Sequence, residues 1–344
     1  MRALTLTAHG GLDRLELRDL PRPGVQRPDD VLIRIHAAAL NHLDLFVLDG
    51  LPGVTLDFPH VVAGDGAGVV EEVGSRVRGL EPGQRVMINP GLSCGECDQC
   101  LAGEQSLCVH YRLMGEHVTG TAAEYVVLPA RNLAPVPDSM PWPQAAAFGL
   151  ATLTAWRMLV TRARLRPGET VLIWGIGGGV ALAALQIAKL MGALAIVTSS
   201  SESKLKLAES LGADIRLNHN TADIPREIRA LTGRRGVDVV VDNVGSATWE
   251  RSLRCLGRRG RLVTCGGTSG PMVETDVRKL FWYQWTIMGS TMGNHAEWLE
   301  IVRLANQGAL WPAVDRVFPL EAGVEAFTRL RDGDQAGKLV LEVT

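Results

Sequence analysis

The chain has 344 residues, 46% of them hydrophobic and 21% charged, with a formal net charge of −2. At roughly 100–200 residues per domain, that length implies two domains, each with its own core. The composition excludes a disordered chain and the near-neutral charge disfavours an electrostatic grip on nucleic acid, while no apolar run approaches the ~18 residues of a membrane helix and no basic-then-apolar leader opens the sequence. A cytoplasmic protein acting on a small molecule, with neither nucleic-acid nor membrane partners, is the expectation.

In chain order, residues 1–140 alternate short apolar runs at 31–35, 69–73, 85–88 and 123–128 with Gly, Pro and Asp, the texture of an irregular, mostly antiparallel β domain. From Pro143 the pattern changes. Helix is expected at 145–160, strand at 170–174, helix at 180–191, strand at 195–198, and helices at 204–210 and 224–231. Strand 237–242, helix 249–256 and strands 261–265 and 287–289 follow. Short, nearly all-apolar strands separated by helices indicate a parallel sheet covered on both faces. A helix at 296–306 and a strand at 338–343 return the chain to the first domain. The fold class is therefore α/β, with one β domain (1–146 and 292–344) and one doubly wound parallel-sheet domain (147–291).

Four of the six cysteines, Cys94, Cys97, Cys100 and Cys108, form C-x2-C-x2-C-x7-C within a lobe at 91–110. Four thiolates close a tetrahedral site and leave no position for water or substrate, so the spacing predicts one structural zinc per chain. Cys255 and Cys265 read as buried apolar residues.

The strand at 170–174 runs into Gly175-Ile-Gly177-Gly178-Gly179-Val180, where glycines let the backbone and a helix N-terminus approach a pyrophosphate. At the end of the second strand, Ser199 stands where folds that prefer NAD place an acid to hold the ribose 2′-hydroxyl. With Ser200 beside it and Lys204 within reach of a phosphate, NADP is favoured over NAD, although Glu202 keeps NAD open.

These features, with Gly64-Asp-Gly-Ala-Gly-Val-Val-Glu-Glu-Val-Gly74, Glu81-Pro-Gly-Gln-Arg-Val86, Gly120-Thr-Ala-Ala-Glu-Tyr125, Leu165-Arg-Pro-Gly-Glu-Thr-Val-Leu172, Leu211-Gly-Ala-Asp214 and Gly337-Lys-Leu-Val340, make the whole chain resemble the medium-chain dehydrogenase/reductase superfamily of zinc alcohol dehydrogenases and zinc-free quinone reductases. The resemblance implies a GroES-like domain, a Rossmann domain, hydride transfer between a nicotinamide cofactor and substrate, and a homodimer or homotetramer. For the cofactor it implies Thr154, Val244, Gly245, Gly266, Gly267, Ser290 and Thr291, with His219 near a 2′-phosphate and Lys338 reaching in from the other domain. The family's three catalytic-zinc ligands fall on Asn41, Gly64 and Leu150. Glycine and leucine offer no side-chain ligand and an asparagine carbonyl is a poor one.

Without that Lewis acid, an acceptor that delocalises its own charge, such as a quinone, enal or enone, suits the site better than an alcohol. Asn41, His42, Asp44 and Asp65 are the polar candidates there, Asp44 doubling as a helix cap and Asp65 as an acceptor for turn amides. An alternative metal site from His42, Asp44, Asp65 and His60, an alcohol or aldehyde dehydrogenase with an atypical site, and a cofactor-binding sensor without catalysis are the competing readings.

Overall fold

The computed structural model describes residues 1–344. It contains two compact units, Met1–Leu153 with Gly293–Thr344, and Thr154–Met292.

The first unit is built on a seven-stranded sheet. The strands run in the order Leu133–Pro135, Arg85–Ile88, Asp65–Val73, Asp30–Ala39, Lys338–Glu342, Val314–Pro319, with Tyr125–Pro129 also paired to Asp30–Ala39. Every pairing is antiparallel except the last, between Val314–Pro319 and Lys338–Glu342. Ile33, Ile35, Val70, Val86, Val126 and Leu341 are buried in one core with Leu4, Leu6 and Phe327. The Gly-rich start of Asp65–Val73 has a steric cause: a Cβ on Gly68 would overlap the Arg34 carbonyl oxygen, where the register against Asp30–Ala39 shifts between Ile35 and Ala37. Only glycine lets the two backbones come that close, and the irregularity delivers Asp65 opposite Ala39, two residues before Asn41.

The second unit is a six-stranded parallel sheet. Its order, Ile215–Asn218, Leu194–Ser199, Thr170–Ile173, Val237–Val241, Leu256–Thr264, Thr286–Gly289, is 3-2-1-4-5-6 by sequence. The strands run parallel, but the order in which they are added reverses between Thr170–Ile173 and Val237–Val241, so the carboxyl ends of these strands flank the topological switch point where open α/β sheets bind ligands. Val171, Leu172, Ile173, Val239, Val240 and Val241 are fully buried, as strands covered on both faces must be.

Several elements differ from the sequence expectation, among them the helices Val277–Tyr283 and Gly323–Asp332 and the strand Val314–Pro319, none of which was anticipated. The helix expected over 145–160 is broken into Trp142–Ala146, Gly149–Trp156 and a π-helical turn Arg157–Arg162. Ile215–Asn218, passed over in the sequence, is an edge strand; its Ile-Arg-Leu-Asn is half-exposed and lacks the apolar run of the central strands. The strand expected at 261–265 begins earlier, at Leu256. No helix is long and apolar enough to cross a membrane.

Candidate active site and metal lobe

The cysteine lobe gathers four thiols that could hold a metal. The four Sγ atoms lie within 4.8 Å of one another, and this is the one place in the chain where three or more His, Cys, Asp or Glu ligand atoms converge. Cys94 Sγ is 3.9 Å from Cys100 Sγ and 3.5 Å from Cys108 Sγ; four sulfurs at about 2.3 Å from one tetrahedral ion stand about 3.8 Å apart. The helical turn Asp98–Leu101 carries Cys100, and backbone N–H groups of Cys97 and His110 donate to Cys94 Sγ (3.4 Å) and Cys108 Sγ (3.3 Å). The Cys100 amide is the main cause holding the Cys97 thiol down to about 6, which favours thiolate. All six cysteines are free thiols, and burial pushes Cys255 up to about 12, as an inert core residue.

At the position of the family's catalytic ion the donors are of another kind. Asn41 precedes helix His42–Asp49, and its N–H donates to Asp44 Oδ2 at 2.6 Å. The Asn41 amide Nδ2 donates to Asp65 Oδ2 at 2.9 Å, and the Leu150 amide donates to Asp65 Oδ1 at 2.7 Å. Lys338, at the start of the last strand, is 4% exposed and sends its ammonium into this cluster, donating to Asn41 Oδ1 and, at 3.0 Å, to Asp65 Oδ2. A buried charge needs a partner, and Asp65, with no exposed surface, is the partner. Burial raises Asp44 to about 7; the Asn41 amide and the charge of Lys338 oppose that rise and the charge of Asp65 adds to it.

The structure thus brings Asn41, Asp44 and Asp65 together and adds Lys338. Lys338, expected to reach the cofactor, directs two of its three N–H donors into this cluster, because Asp65 would otherwise be a buried anion without a counter-ion. The signal was Gly337-Lys-Leu-Val340, a charge opening an apolar strand. His42 stands aside, edge-on to Phe46 at 5.2 Å, with burial lowering its pKa. His60 is committed elsewhere, to the Gly115 carbonyl at 3.1 Å, so the four-residue metal site suggested by the sequence is not assembled.

In the parallel-sheet unit, Gly175 and Gly177 have φ of +66° and +126°, and Gly178 precedes helix Gly179–Leu190, which continues through Val180. A Cβ on Gly178 would meet nothing within 4 Å, so open space lies in front of the helix N-terminus. The aliphatic chain of Lys204 lies over Gly177. Ser199 is buried and its hydroxyl accepts the Ser201 N–H at 3.1 Å, whereas Ser200 is exposed. The Ser199 hydroxyl thus spends one acceptor position on the turn and keeps its own O–H to donate. Glu202 accepts from Asn218 Nδ2 at 2.7 Å, and His219 Nδ1 lies 3.4 Å from Thr198 Oγ1.

Beyond the switch point, buried Asp242 accepts from the amides of Val244 (2.9 Å) and Gly245 (3.1 Å) and from the hydroxyls of Thr248 and Ser252, freezing that loop. Gly245 approaches Gly267 so closely that a Cβ would stand 2.9 Å from its Cα, and Thr268 donates to the Asn243 carbonyl, which ties this loop to Gly266 and Gly267. Thr154 Oγ1 lies 3.6 Å from Met292 Sδ, and Thr291 is exposed. Asn243 Oδ1 and Ser290 Oγ are buried without partners at the carboxyl ends of their strands. Orphaned polar atoms at that edge fit a bound dinucleotide. Asn243 is not singled out by the sequence reading; the polar Asp242-Asn243 pair following the valine-rich strand Val237–Val241 is its signal.

Residues 27–138 match the alcohol dehydrogenase GroES-like domain and residues 179–307 the zinc-binding dehydrogenase family. The chain is 33% identical to an NAD-dependent alcohol dehydrogenase of Sulfolobus acidocaldarius over the full length of both. It is 31% identical to a crotonyl-CoA reductase of Streptomyces avermitilis over 89% of this chain and 77% of that one. The crystal structure of an NAD-dependent alcohol dehydrogenase, 46% identical, superposes with a TM-score of 0.96 over all of both chains. With these relatives, its GroES-like and Rossmann units and its cysteine lobe, the chain belongs to the zinc-containing medium-chain dehydrogenase/reductase superfamily and is an NAD(P)-dependent oxidoreductase.

Proposed function

We propose that this oxidoreductase passes hydride to an activated acceptor, a quinone or the conjugated C=C of an enal or enone, without a catalytic zinc, and that its cysteine lobe holds one structural zinc. The observation that carries this reading is the Lys338 ammonium bonded to Asn41 and Asp65. A dication there would find no thiolate or imidazole on Asn41, Gly64 or Leu150 and would be repelled by the ammonium already paired with Asp65. The relative named as a crotonyl-CoA reductase also favours a C=C acceptor.

When bound, the nicotinamide supplies the hydride. Gly175, Gly177, Gly178 and Gly179 would hold its pyrophosphate, with Asn243 and Ser290 as further polar partners. Hydride addition to the β-carbon shifts an electron pair toward the acceptor oxygen, which then needs positive potential and a proton. Lys338 supplies the potential and Asp44, raised to about 7, carries a proton in about half of the molecules at neutral pH. The absence of a carboxylate at Ser199 and Ser200, with Glu202 engaged by Asn218 and Lys204 lying over the turn, supports NADP over NAD; the named NAD-dependent relatives make the opposite case. A second copy of the chain would pair along the edge strand Thr286–Gly289, beside exposed Phe281 and Trp282.

Zinc content and turnover test the reading together. About one zinc per chain and oxidation of NADPH with quinones, enals or enones are expected. About two zinc ions per chain, with alcohols oxidised and those acceptors untouched, would replace it with an alcohol dehydrogenase of atypical site; no turnover in either direction would favour a sensor.

A further inference from the structure

At the end of the parallel sheet opposite the glycine turn, where Val237–Val241 and Leu256–Thr264 begin, there is a cavity of about 940 Å³ walled by six arginines and one lysine against a single carboxylate. Arg235 spends its guanidinium on that carboxylate, Asp238, at 2.8 Å. Arg226, Arg229, Arg234, Arg254, Arg258 and Lys279 make no close ion pair, although the charge of Lys279 is felt at Asp276. Arg229 and Arg254 lie in the last turns of their helices, where a cation meets the helix dipole. The other four have no such reason, and a chain of net charge −2 has no general excess of cations to scatter there.

Two further features point to a built site. Arg234 is held in the left-handed region, φ +67°, which favours glycine or asparagine, so its side chain is presented at a conformational cost. The floor is rigid: a Cβ on Gly236 would stand 2.6 Å from the Gly257 nitrogen, and Trp285 Nε1 donates to the Gly257 carbonyl at 2.9 Å. Tyr283 stacks on Trp285 and carries Arg258 over its ring.

We propose that this cavity is a second anion site, separate from the glycine turn, which binds a compact oligophosphate, free or as the phosphate chain of a nucleotide. Guanidinium groups arriving from several elements match phosphate oxygens in pairs, and a short half-open concavity suits a small polyanion better than the extended backbone of a nucleic acid.

Calorimetric titration of the full-length protein with inorganic tripolyphosphate tests this. One saturable site per chain is expected, weakened by added salt. The double variant Arg234→Ala/Arg258→Ala should bind at least about tenfold more weakly with its thermal midpoint unchanged, since both side chains are exposed, and Gly178→Asp in the glycine turn should bind as the wild type does. Equal affinity for ATP and tripolyphosphate would identify the phosphate chain alone as the ligand, and tighter ATP binding a nucleotide. Binding lost in Gly178→Asp but kept in the double variant, no saturable binding, or binding only to duplex DNA would each overturn the proposal.

Discussion

Lys338 and Asp65 form an ion pair with almost no exposed surface, so removing one partner leaves a buried charge. Lys338→Met should lower unfolding free energy by about 3 kcal/mol, the lower end of the range for such pairs, because Leu150 and Asn41 still donate to Asp65. The double variant Lys338→Met/Asp65→Asn should recover most of that loss in urea titrations while remaining inactive toward enones; full activity in the double variant would remove Lys338 from the chemistry. Asp44 makes a pH prediction. Its folded pKa, about 7, lies above its ordinary 3.8, so the folded state holds the proton more tightly. Its contribution to stability is complete below about pH 4 and is lost as pH rises through 7. Asp44→Asn should flatten that fall when thermal midpoints are compared between pH 4 and 8.

Among elements, the cysteine lobe and the glycine turn depend on different things. The lobe has only short helical turns, Asp98–Leu101 and Gln105–Leu107, too small to hold themselves without cross-links. Cys97→Ser should abolish the zinc proposed for the lobe and expose residues 91–110 to protease while the parallel-sheet unit stays intact, as elemental analysis and limited proteolysis would show. The glycine turn is held by strand, helix and φ values above zero. Gly178→Asp adds a side chain into open space, so folding should be nearly unaffected, yet it puts a carboxylate where a pyrophosphate is expected and should weaken dinucleotide binding by at least about tenfold in fluorescence titrations. Both elements were legible because their chemistry lies in local spacing. The edge strand Ile215–Asn218 and the interruption after Ala146 were not, since neither leaves a periodic apolar signature.

For the whole molecule, the exposed edge strand Thr286–Gly289 and the exposed Phe281 and Trp282 lead to the expectation that Trp282→Glu shifts the protein from dimer to monomer in light scattering. A monomeric wild type would remove that reading. The sequence by itself determined the α/β organisation, the cluster of four cysteines, the glycine-rich strand-to-helix turn and the presence of Asn41, Gly64 and Leu150 where the resemblance implies metal ligands, because each is written in residues close together or in family order. Only the tertiary structure decided what stands in the vacated place. Asp65 and Lys338 are 273 positions apart, and no local pattern says that a lysine opening the last strand will bury its ammonium against an aspartate opening another. The same holds for the arginine cavity, whose cations come from separate helices and strand starts and act together only once the parallel sheet has set those starts side by side.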